Sequence, residues 1–387
     1  MSKSNGNIQS QKFLSKPAVQ STLAALLCIV VGLLVGYIAL LIINPVGATE
    51  AIITILKNYF TYPSKAAAMK YLGNTLVKAA PLLMCALSIQ FCYQAGLFNI
   101  GAAGQYVAGA GAALFCALAL HMPWIVCLLA ALIAGGIFGI IVGLLKSYLN
   151  VNEVISGIML NWIGLYTVNM LLSGVKEVAS PYTVNVATEN ASALLPSLGL
   201  DKLFSNNKYV TIAIPLSVLI AILLKVILSK TVFGYEIKAT GIAKDAAKYS
   251  GMKEKRNVII TLFIGGALAG LGAAFLFLSG YEQWSVTQSS VPSMGFNGIA
   301  ATFLGGLDPI GTIFASYFIQ HITSGGSYLD KNIYPSQISD FISAIIIYLC
   351  GFVLFFKLYL NNYLRVKEEK AKEKTGSVAN KEEGGNK

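Results

Sequence analysis

The sequence predicts an all-α membrane protein, a polytopic bundle of about 8–10 transmembrane helices. Of its 387 residues, 56% are hydrophobic and only 12% are charged, whereas roughly a quarter are charged in an ordinary soluble domain. Apolar runs of the length needed to cross a bilayer recur along the chain. Glycines lie inside these runs, where small residues let helices approach closely. These glycines are predicted to be packing positions.

The first predicted span, residues 21–44, exceeds the length of a secretory signal core and has no small-residue cleavage site after it. After an external connection at 45–71, further spans are predicted at 74–95, 99–120, 123–147, 154–173, 209–229, 257–280 and 337–360. Together they define a transmembrane domain over residues 21–360. Two tails, residues 1–20 and 361–387, flank it, and the second is predicted to be disordered because it lacks apolar periodicity.

The apolar stretch 295–325 is interrupted by residues that break helices, and it is treated separately. The interrupting residues are Gly305, Gly306, Asp308, Pro309 and Gly311. Irregular backbone at membrane depth must be shielded by protein. The stretch therefore predicts either two shorter crossings or a re-entrant hairpin.

The net charge of +11 is concentrated in three clusters beside apolar runs. Lys3, Lys12 and Lys16 precede the first span, residues 230–256 hold seven bases and three acids, and the chain from 357 onward holds eight bases and five acids. Basic residues beside spans mark the cytoplasmic side. Both termini and the 230–256 loop are thus predicted to be cytoplasmic, and no nucleic-acid partner is expected. The 174–208 loop is then external, and it is either a contact for an external partner or a plain solvated connection.

An internal repeat is predicted from two similar runs. Phe98-Asn99-Ile100-Gly101-Ala102-Ala103 resembles Phe296-Asn297-Gly298-Ile299-Ala300-Ala301, and both runs open glycine-rich apolar segments. Many transporters are built from such repeats, with broken helices meeting near the midplane.

The chain has no sequence signature of an enzyme. The dipeptide Gly-Lys is absent, which excludes the phosphate-binding lysine loop, so any ATP would have to be hydrolysed by another chain. The six cysteines form no Cys-x-x-Cys pair, and neither a metal site nor a bound cofactor is predicted.

Polar residues within the apolar helices are candidates for a substrate pathway, because buried polar groups in lipid usually face the bundle interior or a watery cavity. The candidates are Asn99, Gln105, Glu153, Asn161 and Asn297. Neutral amides offer both donors and acceptors, which suits ribose hydroxyls or base edges. The alternative is that they only form interhelical hydrogen bonds. Glu153 either favours a helix N-terminus through the macrodipole or acts as a gate.

The 230–256 loop contains an alanine-rich stretch between Gly234 and Gly251. It predicts a short amphipathic helix whose flanking glycines permit sharp turns. Such a helix is well shaped to dock into a groove of a partner in the cytoplasm. The residues assigned to this docking are Lys238, Ala239, Gly241, Asp245, Ala246, Ala247 and Gly251.

Four motifs in order resemble the permeases of nucleoside ABC importers, relatives of the ribose-type sugar permeases and of the branched-chain-type permeases. They are Gly96 to Gln105, Asn152 to Ser156 with Met159 to Asn161, Asp245 to Ala247 with Gly251, and Gly305-Gly306 through Gly311. The similarity spans roughly residues 70–350. Ala103 stands where the family commonly has glutamate, and Lys238 replaces a usual arginine.

The resemblance implies an importer in the bacterial cell membrane that translocates nucleosides, purine nucleosides first, by alternating access. It implies three protein partners: a cytoplasmic ABC ATPase that uses ATP and Mg, a second related permease, and a substrate-binding surface lipoprotein. The Asp245 loop would be the coupling element to the ATPase.

Two other function classes remain open at this stage. An ion-gradient-driven secondary transporter of nucleosides or sugars would share the helical bundle, but it is expected to have acidic or histidine relays inside its spans. Here the acids Glu153, Asp308 and Asp340 lie near segment ends. A passive channel or membrane scaffold is the third class.

Overall fold

The computed structural model describes residues 17–330, 333–334, 338–350, 352, 355, 358–359 and 361–362. These residues form α-helices and contain no named β-strand, only two isolated bridges. The all-α prediction is confirmed. The main helices are α1 Pro17–Ile43, α2 Ala48–Lys57, α3 Lys65–Gln94, α4 Ala102–Leu118, α5 Trp124–Leu149, α6 Glu153–Leu172, α7 Ala213–Lys230, α8 Val232–Ile242, α9 Lys244–Tyr249, α10 Glu254–Phe277, α11 Ser293–Leu304, α12 Pro309–Gly325 and α13 Ile338–Cys350.

Within the described residues, six helices are long and apolar enough to cross a membrane, namely α1, α3, α5, α6, α7 and α10. The chain is therefore a multi-pass membrane protein. Two helices extend beyond the predicted apolar spans: α1 begins at Pro17, before residue 21, and α3 begins at Lys65, before residue 74. The alanines after Lys65 are strong helix formers and extend α3 beyond its apolar part. The expected 45–71 connection accordingly contains α2 and the first turns of α3.

Helix α10 lies at the centre and packs against α3, α4 and α5. Glycines make these contacts close. A β-carbon at Gly109 of α4 would lie 2.8 Å from the carbonyl carbon of Gly270, and one at Gly143 of α5 would lie 3.0 Å from the Cα atom of Ile259. Real side chains do not tolerate such distances, so the prediction that glycines are packing positions is confirmed for this core.

The predicted break in 295–325 is confirmed. Helix α11 ends at Leu304 and α12 begins at Pro309, and residues 305–308, here called the hairpin elbow, turn the chain between them. Gly306 has a φ of +68° and Leu307 one of +59°. Helix α11 has 12 residues, which rise about 18 Å against a bilayer core of about 30 Å. It is too short to cross, which supports the re-entrant hairpin.

The two runs of the predicted repeat differ in conformation. Residues 98–101 are not helical and precede α4, whereas residues 296–301 lie inside α11. The sequence match therefore does not mark equivalent local structures, and a duplication of the two halves stays a prediction. Of the two predicted tails, residues 1–16 and 363–387 lie outside the described residues, while α1 already includes 17–20 and residues 361–362 are helical.

Candidate functional site

Residues 95–101, here called the α3–α4 turn, are held by a buried pair of side-chain amides. The Nδ2 atom of Asn99 donates to Oε1 of Gln105 at 2.8 Å, and Nε2 of Gln105 donates back to Oδ1 of Asn99 at 3.2 Å. The Asn99 Nδ2 atom also donates to the Ser88 hydroxyl on α3 at 3.1 Å. All three side chains are buried. The pair therefore ties the turn to both helices that it connects.

Asn161 on α6 holds the same turn from the other side. Its Oδ1 atom accepts a hydrogen bond from the Gly104 backbone N–H at 2.7 Å, and its Nδ2 atom donates to the Ile100 carbonyl at 3.2 Å. Glycine is needed at 104, because a β-carbon there would lie 2.7 Å from the Cα atom of Asn161. The bonds satisfy backbone groups at the start of α4 that the helix itself cannot pair.

Three of the five predicted pathway residues, Asn99, Gln105 and Asn161, are thus brought together in one buried network. Much of their hydrogen-bonding capacity is used within the protein, as the interhelical alternative requires. Asn297 is half-buried on α11, and no hydrogen bond joins it to Asn99 in the described structure. That these residues line a pathway stays a prediction.

Glu153 lies apart from this network, at the turn between α5 and α6. Asn152 caps α6, since its Oδ1 atom accepts from the Val154 backbone N–H at 2.8 Å. The Glu153 carboxylate lies 2.7 Å from the ammonium of Lys146 in the last turn of α5. The ion pair joins the end of α5 to the start of α6. Glu153 lies in the first turn of α6, where the helix macrodipole favours an acid, as the sequence suggested.

The hairpin elbow contains an ion pair that the sequence reasoning missed. The Asp308 carboxylate caps α12, because Oδ1 accepts from the Ile310 backbone N–H at 2.9 Å, and Oδ2 pairs with the ammonium of Lys225 on α7. The pair is half-exposed. The signals in the sequence were Asp308 in the broken stretch and a lysine standing alone within the apolar run of α7, five residues before Lys230.

A second ion pair also joins distant segments. Lys78 of α3 lies 3.2 Å from Glu282, in the connection after α10, and its ammonium lies 5.2 Å from the centre of the Tyr281 ring. The two ion pairs, Lys78–Glu282 and Lys225–Asp308, show that the bundle contains charged side chains as well as neutral amides. In both pairs the charges are matched, which lowers the cost of holding them in an apolar setting.

The segment predicted as one docking helix forms two, α8 and α9, separated by a turn at Ala243. The expected turn at Gly234 was wrong, because Gly234 lies inside α8. Asp245 and Ala246 are exposed, but Ala247 is only 3% exposed and points into the protein. Gly251 ends this element with a φ of +83°, as its predicted role in a sharp turn requires. Ala247 therefore cannot present its side chain to a partner in this arrangement.

Helix α8 is tightly joined to the membrane helices. Gly241 packs on the backbone of the α3–α4 turn, where a β-carbon would lie 2.8 Å from the Gly96 nitrogen. The Asn257 amide of α10 donates to the Thr240 hydroxyl at 3.3 Å, and Lys244 pairs with Glu254 at 2.8 Å. Lys238 and Ala239 are half-buried on α8. The exposed α9 is thus connected through α8 to the α3–α4 turn.

A multi-pass bundle with a broken hairpin inside it is an architecture typical of membrane transport proteins. The chain belongs to the family described as branched-chain amino acid transport system, permease component, which matches residues 71–351.

Named relatives cover most of the chain. It is 29% identical over 377 residues to the nucleoside ABC transporter permease protein NupB of Lactococcus lactis, covering 93% of this chain and 99% of NupB. It is 31% identical over 284 residues to the guanosine ABC transporter permease protein NupP of Bacillus subtilis, covering 72% and 80%. It is 29% identical over 300 residues to the glucose ABC transporter permease protein TsgB13 of Haloferax volcanii, covering 74% and 78%. No solved structure matches the chain.

Proposed function

We propose that this chain is the permease subunit of an ATP-binding cassette importer that translocates nucleosides, purine nucleosides above all, into the cell by alternating access. The observation that carries the proposal is the similarity to the nucleoside permease NupB along 93% of this chain. The similarity to the guanosine permease NupP favours purines. The amide-rich core of the bundle agrees with a neutral, hydrogen-bonding substrate.

The protein would lie in the bacterial cytoplasmic membrane with both termini inside. The basic residues of 230–256 support this orientation, because cytoplasmic loops are enriched in lysine and arginine. Helices α8 and α9 then lie in the cytoplasm, and the 174–208 loop lies outside.

The ATPase partner would dock on α8 and α9. Tyr235, Ile242 and Tyr249 are 65%, 87% and 93% exposed, and exposed apolar side chains grouped on a charged loop indicate a protein interface. This chain would bind no cofactor itself, and ATP and Mg would be used by the ATPase. Because Gly241 of α8 packs on the α3–α4 turn, movement of the ATPase would reach the membrane helices directly.

A surface lipoprotein and a second related permease would complete the importer. The external side offers a fixed platform, since the 174–208 loop and the connection after α10 are bonded together. The Thr183 backbone N–H donates to the Trp284 carbonyl at 2.8 Å, and the Trp284 indole donates to Asn169 of α6 at 2.9 Å. The Gln283 amide donates to Glu177 at 3.0 Å. A platform held in this way suits repeated docking of a lipoprotein that delivers substrate.

Uptake of labelled guanosine, inosine, uridine and ribose by cells with and without the gene tests this function. We expect the gene to confer uptake of the purine nucleosides first, and we expect uptake to persist when the proton gradient is collapsed at constant ATP. Uptake that disappears with the gradient would favour the secondary transporter instead. Uptake of ribose alone would place the substrate among the sugars.

A further inference from the structure

Gln90, near the C-terminal end of α3, is a buried amide that the protein does not satisfy. It is 1% exposed, and neither its oxygen nor its nitrogen has a hydrogen-bond partner in the described part of the chain. The other buried glutamines there, Gln20, Gln105 and Gln320, each hydrogen-bond to a side chain. An unpaired buried amide is costly. We therefore expect the Gln90 amide to form hydrogen bonds in another state of the protein.

Gln90 faces the re-entrant helix α11. Ala86 lies one turn before it and Tyr93 one turn after it, so the three residues share one face of α3. The Ala86 carbonyl accepts a hydrogen bond from the Thr302 hydroxyl of α11 at 2.7 Å. The Tyr93 ring lies edge-on to Phe303, with the ring centres 5.6 Å apart. Since the residues on both sides of Gln90 contact α11, Gln90 lies on the face of α3 that packs against α11.

The α3–α11 interface is joined, within the described residues, by the single hydrogen bond from Thr302 to the Ala86 carbonyl. Helix α11 is the short arm of the hairpin and continues into the elbow, where Gly306 and Leu307 have left-handed backbone conformations. Gly298 packs directly on the backbone of α3, where a β-carbon would lie 3.0 Å from the Ala86 nitrogen. A glycine contact has no interlocking side chain there. Helix α12, in contrast, is tied to α7 through Asp308 and Lys225.

We propose that Gln90 is a substrate-contacting residue that reads the base edge of the nucleoside when α11 separates from α3. The proposal rests on the proposed function. A carboxamide presents a donor beside an acceptor, and so do the hydrogen-bonding edges of the nucleobases, which allows two parallel hydrogen bonds. The closed arrangement leaves the amide unpaired, and the substrate supplies the missing partners. Gln90 thus makes binding of a base, rather than of a sugar alone, favourable within the pathway.

Replacement of the amide at constant bulk tests the contact. In the assembled importer, Gln90→Leu should raise the KM for guanosine uptake about tenfold, as expected for the loss of a neutral hydrogen-bonded contact. Its melting temperature in detergent without substrate should equal or exceed that of the wild type, because an unpaired buried amide has been removed. Gln320→Leu is the matched control, since it removes a buried amide that is bonded within its own helix, and it should leave the KM unchanged. An unchanged KM for Gln90→Leu overturns the proposal.

Labelling of a cysteine separates this proposal from the proposed function. Gln90→Cys in the complex that hydrolyses ATP should react with a small membrane-impermeant methanethiosulfonate, as located by mass spectrometry. Cys92 on α3 is the internal control, because it is fully buried and faces α10, where its Sγ atom lies 3.6 Å from the Thr261 carbonyl oxygen. If position 90 reacts no more than Cys92, Gln90 stays closed during turnover and the proposal is wrong. If the wild type transports no nucleoside although position 90 is labelled, the base-edge contact and the nucleoside function fail, and only the opening of the interface stands.

Discussion

The α3–α4 turn and the hairpin elbow are both interruptions of helix inside the bundle, yet they are held in opposite ways. In the turn, the side chains of Asn99, Gln105 and Asn161 satisfy each other and the nearby backbone in a buried network. At the elbow, one carboxylate caps α12 and makes a half-exposed ion pair, while Gln90 near the other arm has no partner in the described residues. The difference agrees with the proposed role of Gln90, which requires a fixed turn and an α11 that moves.

The contrast matters for coupling. Helix α8 packs on the α3–α4 turn, so a push from the proposed ATPase would act first on this hydrogen-bonded region. A rigid element transmits displacement, whereas a compliant one absorbs it. Helix α11 lies against α3, which leads directly into that turn.

The largest effect is expected from Asn161→Leu. It leaves the Gly104 N–H and the Ile100 carbonyl unpaired in a buried site, at a cost of about 1–3 kcal/mol for each group. We expect a large fall in melting temperature or in the yield of inserted protein. Met159→Leu on the same helix is the control, because Met159 is 60% exposed. Normal stability of Asn161→Leu would show that the turn does not depend on this network.

A double-mutant cycle at Asn99 and Gln105 should give a smaller effect of the same kind. Each single change to leucine leaves the other amide buried without its partner, whereas the double change removes both. The double variant should therefore be more stable than the sum of the single effects predicts, by about 1 kcal/mol. Thermal unfolding in detergent measures this. The opposite result would be additive effects, with both single variants stable but unable to take up substrate. That result would indicate that Asn99 and Gln105 line the substrate pathway, as the sequence suggested.

The smallest effect on stability is expected at the elbow. Asp308→Asn keeps the cap on α12 but removes the ion pair, and Lys225→Met removes the same pair from the other side. Half-exposed pairs contribute about 1 kcal/mol or less, so the melting temperature should change little while uptake falls severalfold. The double variant should transport better than either single variant, because no unpaired charge remains. If Asp308→Asn or Lys225→Met lowered the melting temperature as much as Asn161→Leu, the hairpin elbow would be as important for stability as the α3–α4 turn, and the comparison would fail.

Much of the fold could be predicted from the sequence because its signals are local. Long apolar runs indicate spans, and the Gly305 to Gly311 pattern indicates the broken hairpin. The start of α3 at Lys65 could not be found from hydropathy, because the first turns are helical without being apolar. The six-residue match did not predict local conformation, since similar residues occupy a turn in one half and a helix in the other.

The candidate site could be predicted only in part, because its partners are distant in sequence. Asn161 was identified as a polar residue in an apolar helix, but its bond to Gly104 depends on how α4 and α6 pack. The Lys225–Asp308 pair depends on the packing of α7 against the hairpin. The inward direction of Ala247 depends on how the short helix α9 lies on the bundle, which helix propensity does not specify.

The most direct test of an ATP-driven permease acting through α9 is uptake by proteoliposomes containing both permeases, the ATPase and the lipoprotein. We expect guanosine uptake on addition of ATP, unaffected by a protonophore. Ala246→Trp should abolish uptake and copurification of the ATPase while the protein remains folded, because Ala246 is exposed on α9. Ala247→Trp should instead unfold α9 and lower the melting temperature, because the Ala247 side chain is buried. Full uptake by Ala246→Trp, or uptake that requires the proton gradient, would contradict the account.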